Sequence, residues 1–122
     1  SHLYDPSIIV PKDIRDTNGL LIRAAGSEIN PLRYISMTRH LVFIDGDDRV
    51  QVDWMIRLTE PEPDRYKIIL TQGPVVDLMK ALNRQLFFDQ NQVYIEKLSI
   101  KSLPALVYQS GLTLRVDEVA IP

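Results

Sequence analysis

From residue 41 onward, short continuous apolar runs alternate with apolar residues at helical spacing. Leu41-Val42-Phe43-Ile44 is unbroken, the pattern of a strand covered on both faces. A polar break at residues 45–49 follows, in which Asp47 or Asp48 is placed to cap a helix and favour its positive end. The spacing predicts that helix over about residues 50–58, with Trp54 and Leu58 four apart and Val52 and Met55 three apart. It stops at Glu60-Pro61-Glu62-Pro63, because each proline disfavours helical geometry in the residue before it. Tyr66-Lys67-Ile68-Ile69-Leu70 reads as a second buried strand, and Gln72-Gly73-Pro74 turns it. Val75, Leu78, Met79 and Leu82 then share one helix face, and Asn83-Arg84 ends that helix.

The remainder is shorter in period. Leu86-Phe87-Phe88 is a third strand, residues 89–91 a turn, and Tyr94, Ile95 and Leu98 line a brief helical segment. Residues 103–108 read as a fourth strand whose start carries Pro104, tolerated there because its missing donor is not needed. Ser110-Gly111 makes a tight turn into Leu112, Leu114 and Val116, which alternate with polar residues as in a half-exposed strand. The order is β-α-β-α-β, a helical link, then a β-hairpin, which predicts an α/β sandwich with a central mixed sheet.

Residues 1–40 have another texture. Pro6, Pro11, Pro31, Gly19 and Gly26 punctuate short apolar pieces, and Asn18-Gly19 precedes Leu20-Leu21-Ile22. This predicts a hairpin over residues 13–25, with Asn18 and Gly19 supplying positive φ, and a second turn over residues 26–31. The chain divides accordingly into a hairpin arm, residues 1–40, packed on or extending from a main domain, residues 41–122.

Composition narrows the chemistry. The 122 residues suffice for one core, and the 45% hydrophobic and 25% charged shares are those of a globular protein. Lys and Arg number 14 against 16 Asp and Glu, so a net charge of −2 supplies no global field for nucleic acid or an anionic membrane. The deficit is local: residues 41–65 hold seven acids and three bases. With no cysteine, disulfides, thiol redox chemistry, Cys-ligated zinc and iron–sulfur clusters are excluded. No run approaches the roughly 18 apolar residues that cross a bilayer. The Ser1-His2 start is expected to be a tag remnant, with any leader removed.

Candidate sites each meet a plain structural alternative. Asp45, Asp47 and Asp48 form the densest carboxylate cluster, but a calcium loop counted from Asp45 would put Val50 where glycine is needed and Ile56 where glutamate is needed. A capped strand-to-helix turn fits instead. His40 has no second histidine or cysteine at ligand spacing, and His2 is assigned to the tag. No serine lies in a nucleophile elbow, and the glycines form no phosphate loop. Trp54, with Met55 and Leu58, is either core or a partner-binding face. A competing enzymatic reading, a small hydrolase or metal-dependent enzyme, would draw on the 45–48 turn with His40.

The segment Ile100-Lys101-Ser102-Leu103-Pro104-Ala105-Leu106-Val107, closing this order of elements, resembles the cis-proline strand of thioredoxin-like proteins. The resemblance implies a cis Leu103-Pro104 bond and equates Asp45-Gly46-Asp47-Asp48 with the active-site turn, which here lacks cysteine. More closely, the chain resembles the TraW family of periplasmic assembly proteins in F-type conjugative type IV secretion systems. The resemblance rests on Pro11-Lys12-Asp13-Ile14-Arg15-Asp16, Gly26 with Asn30-Pro31-Leu32, Leu41 through Asp48 with Gln51 and Trp54, Lys67-Ile68-Ile69-Leu70, Phe88-Asp89-Gln90, Leu103-Pro104-Ala105-Leu106-Val107 and Leu114-Arg115-Val116. It implies a non-catalytic periplasmic role in pilus assembly and mating-pair stabilisation, without cofactor or metal, beside a TrbC-like partner. Asp45, Asp47, Asp48, Trp54, Leu103, Pro104 and Ala105 are the residues expected to meet that partner.

Overall fold

The computed structural model describes residues 1–121, and its first strand is one the hydrophobic pattern does not announce. Strand β1, His2–Tyr4, pairs antiparallel with the last strand of the chain, matching Leu3 with Arg115. His2, expected to be tag, is thus a strand residue, and its Nε2 lies 2.8 Å from the Leu98 carbonyl oxygen. Three residues without a turn signal carry too little periodicity to be read as a strand; the partner strand supplies what they lack.

The arm is a two-part ribbon. Strands β2 (Ile8–Ile9) and β5 (Glu28–Ile29) pair outside β3 (Ile14–Arg15) and β4 (Leu21–Arg23). The hairpin expected over residues 13–25 is present, but its loop is longer than a two-residue turn. Asp16 accepts from the Asn18 and Leu20 N–H groups through Oδ1, and its own N–H donates to the Leu20 carbonyl. Gly19 alone takes positive φ, at 83°, while Asn18 stays on the ordinary side, because a turn closed by an aspartate needs one left-handed residue. Asn30 Nδ2 donates to the Leu112 carbonyl and Met37 N–H to Gln109 Oε1, both at 2.8 Å, fastening the arm to the main sheet.

The body follows the expected order: β6 (His40–Asp45), α1 (Arg49–Thr59), β7 (Tyr66–Gln72), α2 (Val75–Leu82), β8 (Phe87–Phe88), α3 (Val93–Lys97), β9 (Ala105–Ser110) and β10 (Thr113–Glu118). The sheet runs β1-β10-β9-β6-β7-β8. Strand β6 is parallel to β7, and β7 to β8, whereas β9 and β10 run antiparallel, giving a mixed sheet in a thioredoxin-like α/β fold. Continuous apolar runs are explained by two cores. Val42, Ile44, Ile68 and Leu70 face α1 and α2, while Phe43, Ile69, Val107 and Val116 face the side that holds Leu98 and Ile100. Each such side chain contributes at most about 1.5–3 kcal/mol on burial.

On α1 the buried stripe is Val52, Met55 and Thr59. Thr59 is fully buried because its hydroxyl donates to the Met55 carbonyl and accepts from Arg84 Nη1 at 2.8 Å. Helix α2 ends where Asn83 takes a left-handed φ of 52°. The fourth body strand begins at Ala105, two residues later than its apolar pattern suggests, since Leu103 and Pro104 form a turn with a cis bond between them.

Candidate binding site

The 45–48 turn is built by backbone needs. Gly46 N–H donates to the Gln72 carbonyl at 2.8 Å, holding the C-terminal ends of β6 and β7 together. A Cβ on Gly46 would lie 2.7 Å from that same carbonyl oxygen and 2.6 Å from the Leu70 side chain, so the position admits no side chain. Asp45 Oδ1 accepts from Asp47 N–H at 2.8 Å. Asp48 caps α1, accepting through Oδ1 from Val50 N–H at 3.0 Å and Gln51 N–H at 3.4 Å. Gln51, at the third helical position, reaches back: its Oε1 accepts from Asp45 N–H at 2.8 Å and its Nε2 donates to Asp48 Oδ2 at 3.3 Å. Unlike a capping box, the glutamine reaches past the cap, whose own N–H donates to the Asp45 carbonyl. Asp48 and Gln51 have the spacing of a Cys-x-x-Cys pair at a helix start, where the helix would lower a thiol pKa. An amide–carboxylate hydrogen bond stands there instead.

Facing this turn is the Leu103-Pro104 loop. Glu118 Oε2, at the end of β10, accepts from Lys101 and Ser102 N–H, each at 2.6 Å. These two backbone donors, Lys101 first, hold the Glu118 carboxyl below its ordinary pKa. The Pro104 carbonyl accepts from Val119 N–H at 2.8 Å, so the loop is tied at both ends to the chain that leaves β10. Between turn and loop lies a cleft of about 470 Å³, bounded by Asp48, Val50 and Gln51 on one side and Ser102, Leu103 and Pro104 on the other, with residues 119–121 closing it.

The structure brings some expected residues together and separates others. Asp48, Leu103 and Pro104 share the cleft, while Asp47 lines a neighbouring hollow between α1 and α2. Pro104 and Ala105 are buried beneath the surface. Trp54 packs, partly buried, against the core on the helix side. Val50 was not singled out by sequence, yet it is 55% exposed in the first turn of α1. Its signal was available: it falls outside the Val52, Met55, Thr59 stripe. Ser102 and Gln51 carried no such signal, because their placement depends on the loop opposite.

The hydrolase grouping is not assembled. His40 opens β6 and Asp45 closes it, so five residue steps of roughly 3.3 Å separate them. His40 instead stands between aromatic rings, 5.7 Å from Tyr66 and 5.4 Å from Tyr108 by ring centroids. Beyond it, Tyr108 donates its hydroxyl to Asp117 at 2.8 Å; this bond lowers the Asp117 pKa and raises that of Tyr108. Among the described residues no three acids or histidines gather to hold a metal.

Sheet order, cis-proline loop and capped turn define a thioredoxin-like α/β protein without a cysteine in that turn. Over most of its length the chain is similar to Protein TraW of Escherichia coli (strain K12), with 43% identity over 107 residues. It is a TraW-like protein. The match takes in 88% of the chain and 50% of the relative, so the chain spans about half the length of the curated relative it matches. No family model and no solved structure matches it. No helix among the described residues is long and apolar enough to cross a membrane.

Proposed function

We propose that the chain is a non-catalytic protein–protein interaction component of a conjugation system. It works in the periplasm, in pilus assembly and mating-pair stabilisation, and docks a TrbC-like protein. The observation that carries this reading is the identity to TraW along nearly the whole chain. The cleft between the 45–48 turn and the Leu103-Pro104 loop supports it physically. Its polar groups are already spent on capping and loop closure, so it offers a surface of fixed shape in place of reactive groups. Val50 and Leu103 give the cleft an apolar rim and Asp48 gives it negative charge, with Asp47 beside it in the neighbouring hollow. Isothermal calorimetry with the TrbC-like protein of the same transfer system tests it. Saturable binding is expected, weakened at least tenfold by Leu103→Asp and by Asp47→Lys in variants whose circular dichroism is unchanged. Absence of wild-type binding at tens of micromolar overturns the reading.

A further inference from the structure

We infer a second binding site at the opposite end of the sheet, a basic cleft that takes an acidic, extended segment of a partner protein. Strands β6 and β7 are parallel, so their C-terminal ends meet at the 45–48 turn and their N-terminal ends form a separate rim. The six residues of β6 put roughly 16 Å between the two. At the N-terminal rim an open cleft of about 450 Å³ is lined by Met37, Arg39, Leu41, Lys67, Gln85 and Phe87.

Three features give this cleft its chemistry. The first is charge. The four ion pairs among the described residues involve neither Arg39 nor Lys67, although acids outnumber bases in this chain. Two cations facing one hollow without a carboxylate repel each other, and an incoming carboxylate relieves that repulsion. The second is order. Lys67 Nζ stands 4.3 Å from the centroid of the Phe87 ring, which holds the ammonium group over an aromatic face. Met37 is pinned by its N–H bond to Gln109 Oε1 at 2.8 Å, so the strap leading to Arg39 is tethered. The third is shape. Leu41 and Phe87 are half-buried and leave an apolar floor beside the cations.

A ligand matching all three is a peptide segment in extended form. Laid across the N-terminal ends of β6, β7 and β8, it would turn acids toward Lys67 and Arg39 and apolar residues against Leu41 and Phe87. Nucleic acid and anionic membrane fit less well, because each needs a broad positive surface, and this chain carries net charge −2.

The test is an amide chemical-shift titration of the ¹⁵N-labelled 122-residue chain with a ten-residue synthetic peptide alternating glutamate and valine. Saturable shifts confined to residues 38–41, 67 and 85–88 are expected. Affinity should fall at least threefold in Arg39→Gln, where an exposed side chain is changed, and at least tenfold in Arg39→Glu with Lys67→Glu. Three results overturn the proposal: no saturation at millimolar peptide, an equal response to a lysine–valine peptide, or binding to phosphatidylglycerol vesicles without binding to the glutamate peptide.

Discussion

At the scale of single residues, the 45–48 turn holds two positions whose side chains do opposite work. Asp48 is legible from sequence, because a carboxylate just ahead of a helical pattern has one obvious task, and it does cap α1. Gly46 is not legible. Its constraint comes from the Gln72 carbonyl and the Leu70 side chain, residues more than twenty positions away, so nothing in its neighbourhood marks it. Replacing Asp48 by alanine removes the carboxylate oxygen that accepts from two helix N–H groups at an accessible helix end, where water substitutes in part. The expected loss is about 1 kcal/mol. Gly46→Ala drives a methyl group into the Gln72 carbonyl, at a point where Gly73 also lies close against Gly46. Its expected cost is about 1–3 kcal/mol. Urea unfolding of both variants should therefore rank Gly46→Ala as the more destabilising. The reverse order would mean that the two strand ends relax freely.

At the scale of elements, the parts read correctly from sequence are those whose signal is local. Strands β6 and β7 carry unbroken apolar runs because both faces are covered, and α1 and α2 show their core stripe within their own residues. Three features escaped for one reason. Strand β1 is decided by its distant partner strand, the late start of β9 by the Leu103-Pro104 turn, and the single left-handed residue of the arm hairpin by the Asp16 carboxylate that closes its turn, none with a periodicity of its own. The Glu118 clamp belongs to the same class, since it joins the end of β10 to the loop before Pro104. Because the folded state holds the Glu118 carboxyl below its ordinary pKa, the clamp is fully in force above the ordinary glutamate range. It is lost as pH falls through the lowered folded value. The Lys101 and Ser102 amide resonances should thus titrate together with a midpoint below that of an unperturbed glutamate, and Glu118→Gln should remove the transition. A midpoint at the ordinary glutamate value would show that the clamp does not form.

At the scale of the whole molecule, burial is distributed unevenly between arm and body. The two cores lie against the body strands, whereas among the arm residues Val10 alone is buried among the large apolar side chains, at 2% exposure. Ile9, Leu20 and Ile35 are each more than 60% exposed, an arrangement that leaves the ribbon held chiefly by its own ladder and by the Asn30 and Met37 bonds. Local opening free energy follows buried apolar contact, so the arm should open independently of the body. Native-state hydrogen exchange provides the measurement. Amides of β3 and β4 are expected to exchange orders of magnitude faster than those of β6, β7 and β9, whose protection should approach the global unfolding limit. A partner that covers the arm's exposed apolar residues would slow exchange there first, whereas one confined to the Leu103-Pro104 cleft would leave it unchanged. Uniform protection across arm and body in the isolated chain would instead mean that the molecule unfolds as one cooperative unit, with the arm's exposed side chains contributing no separate, loosely held surface.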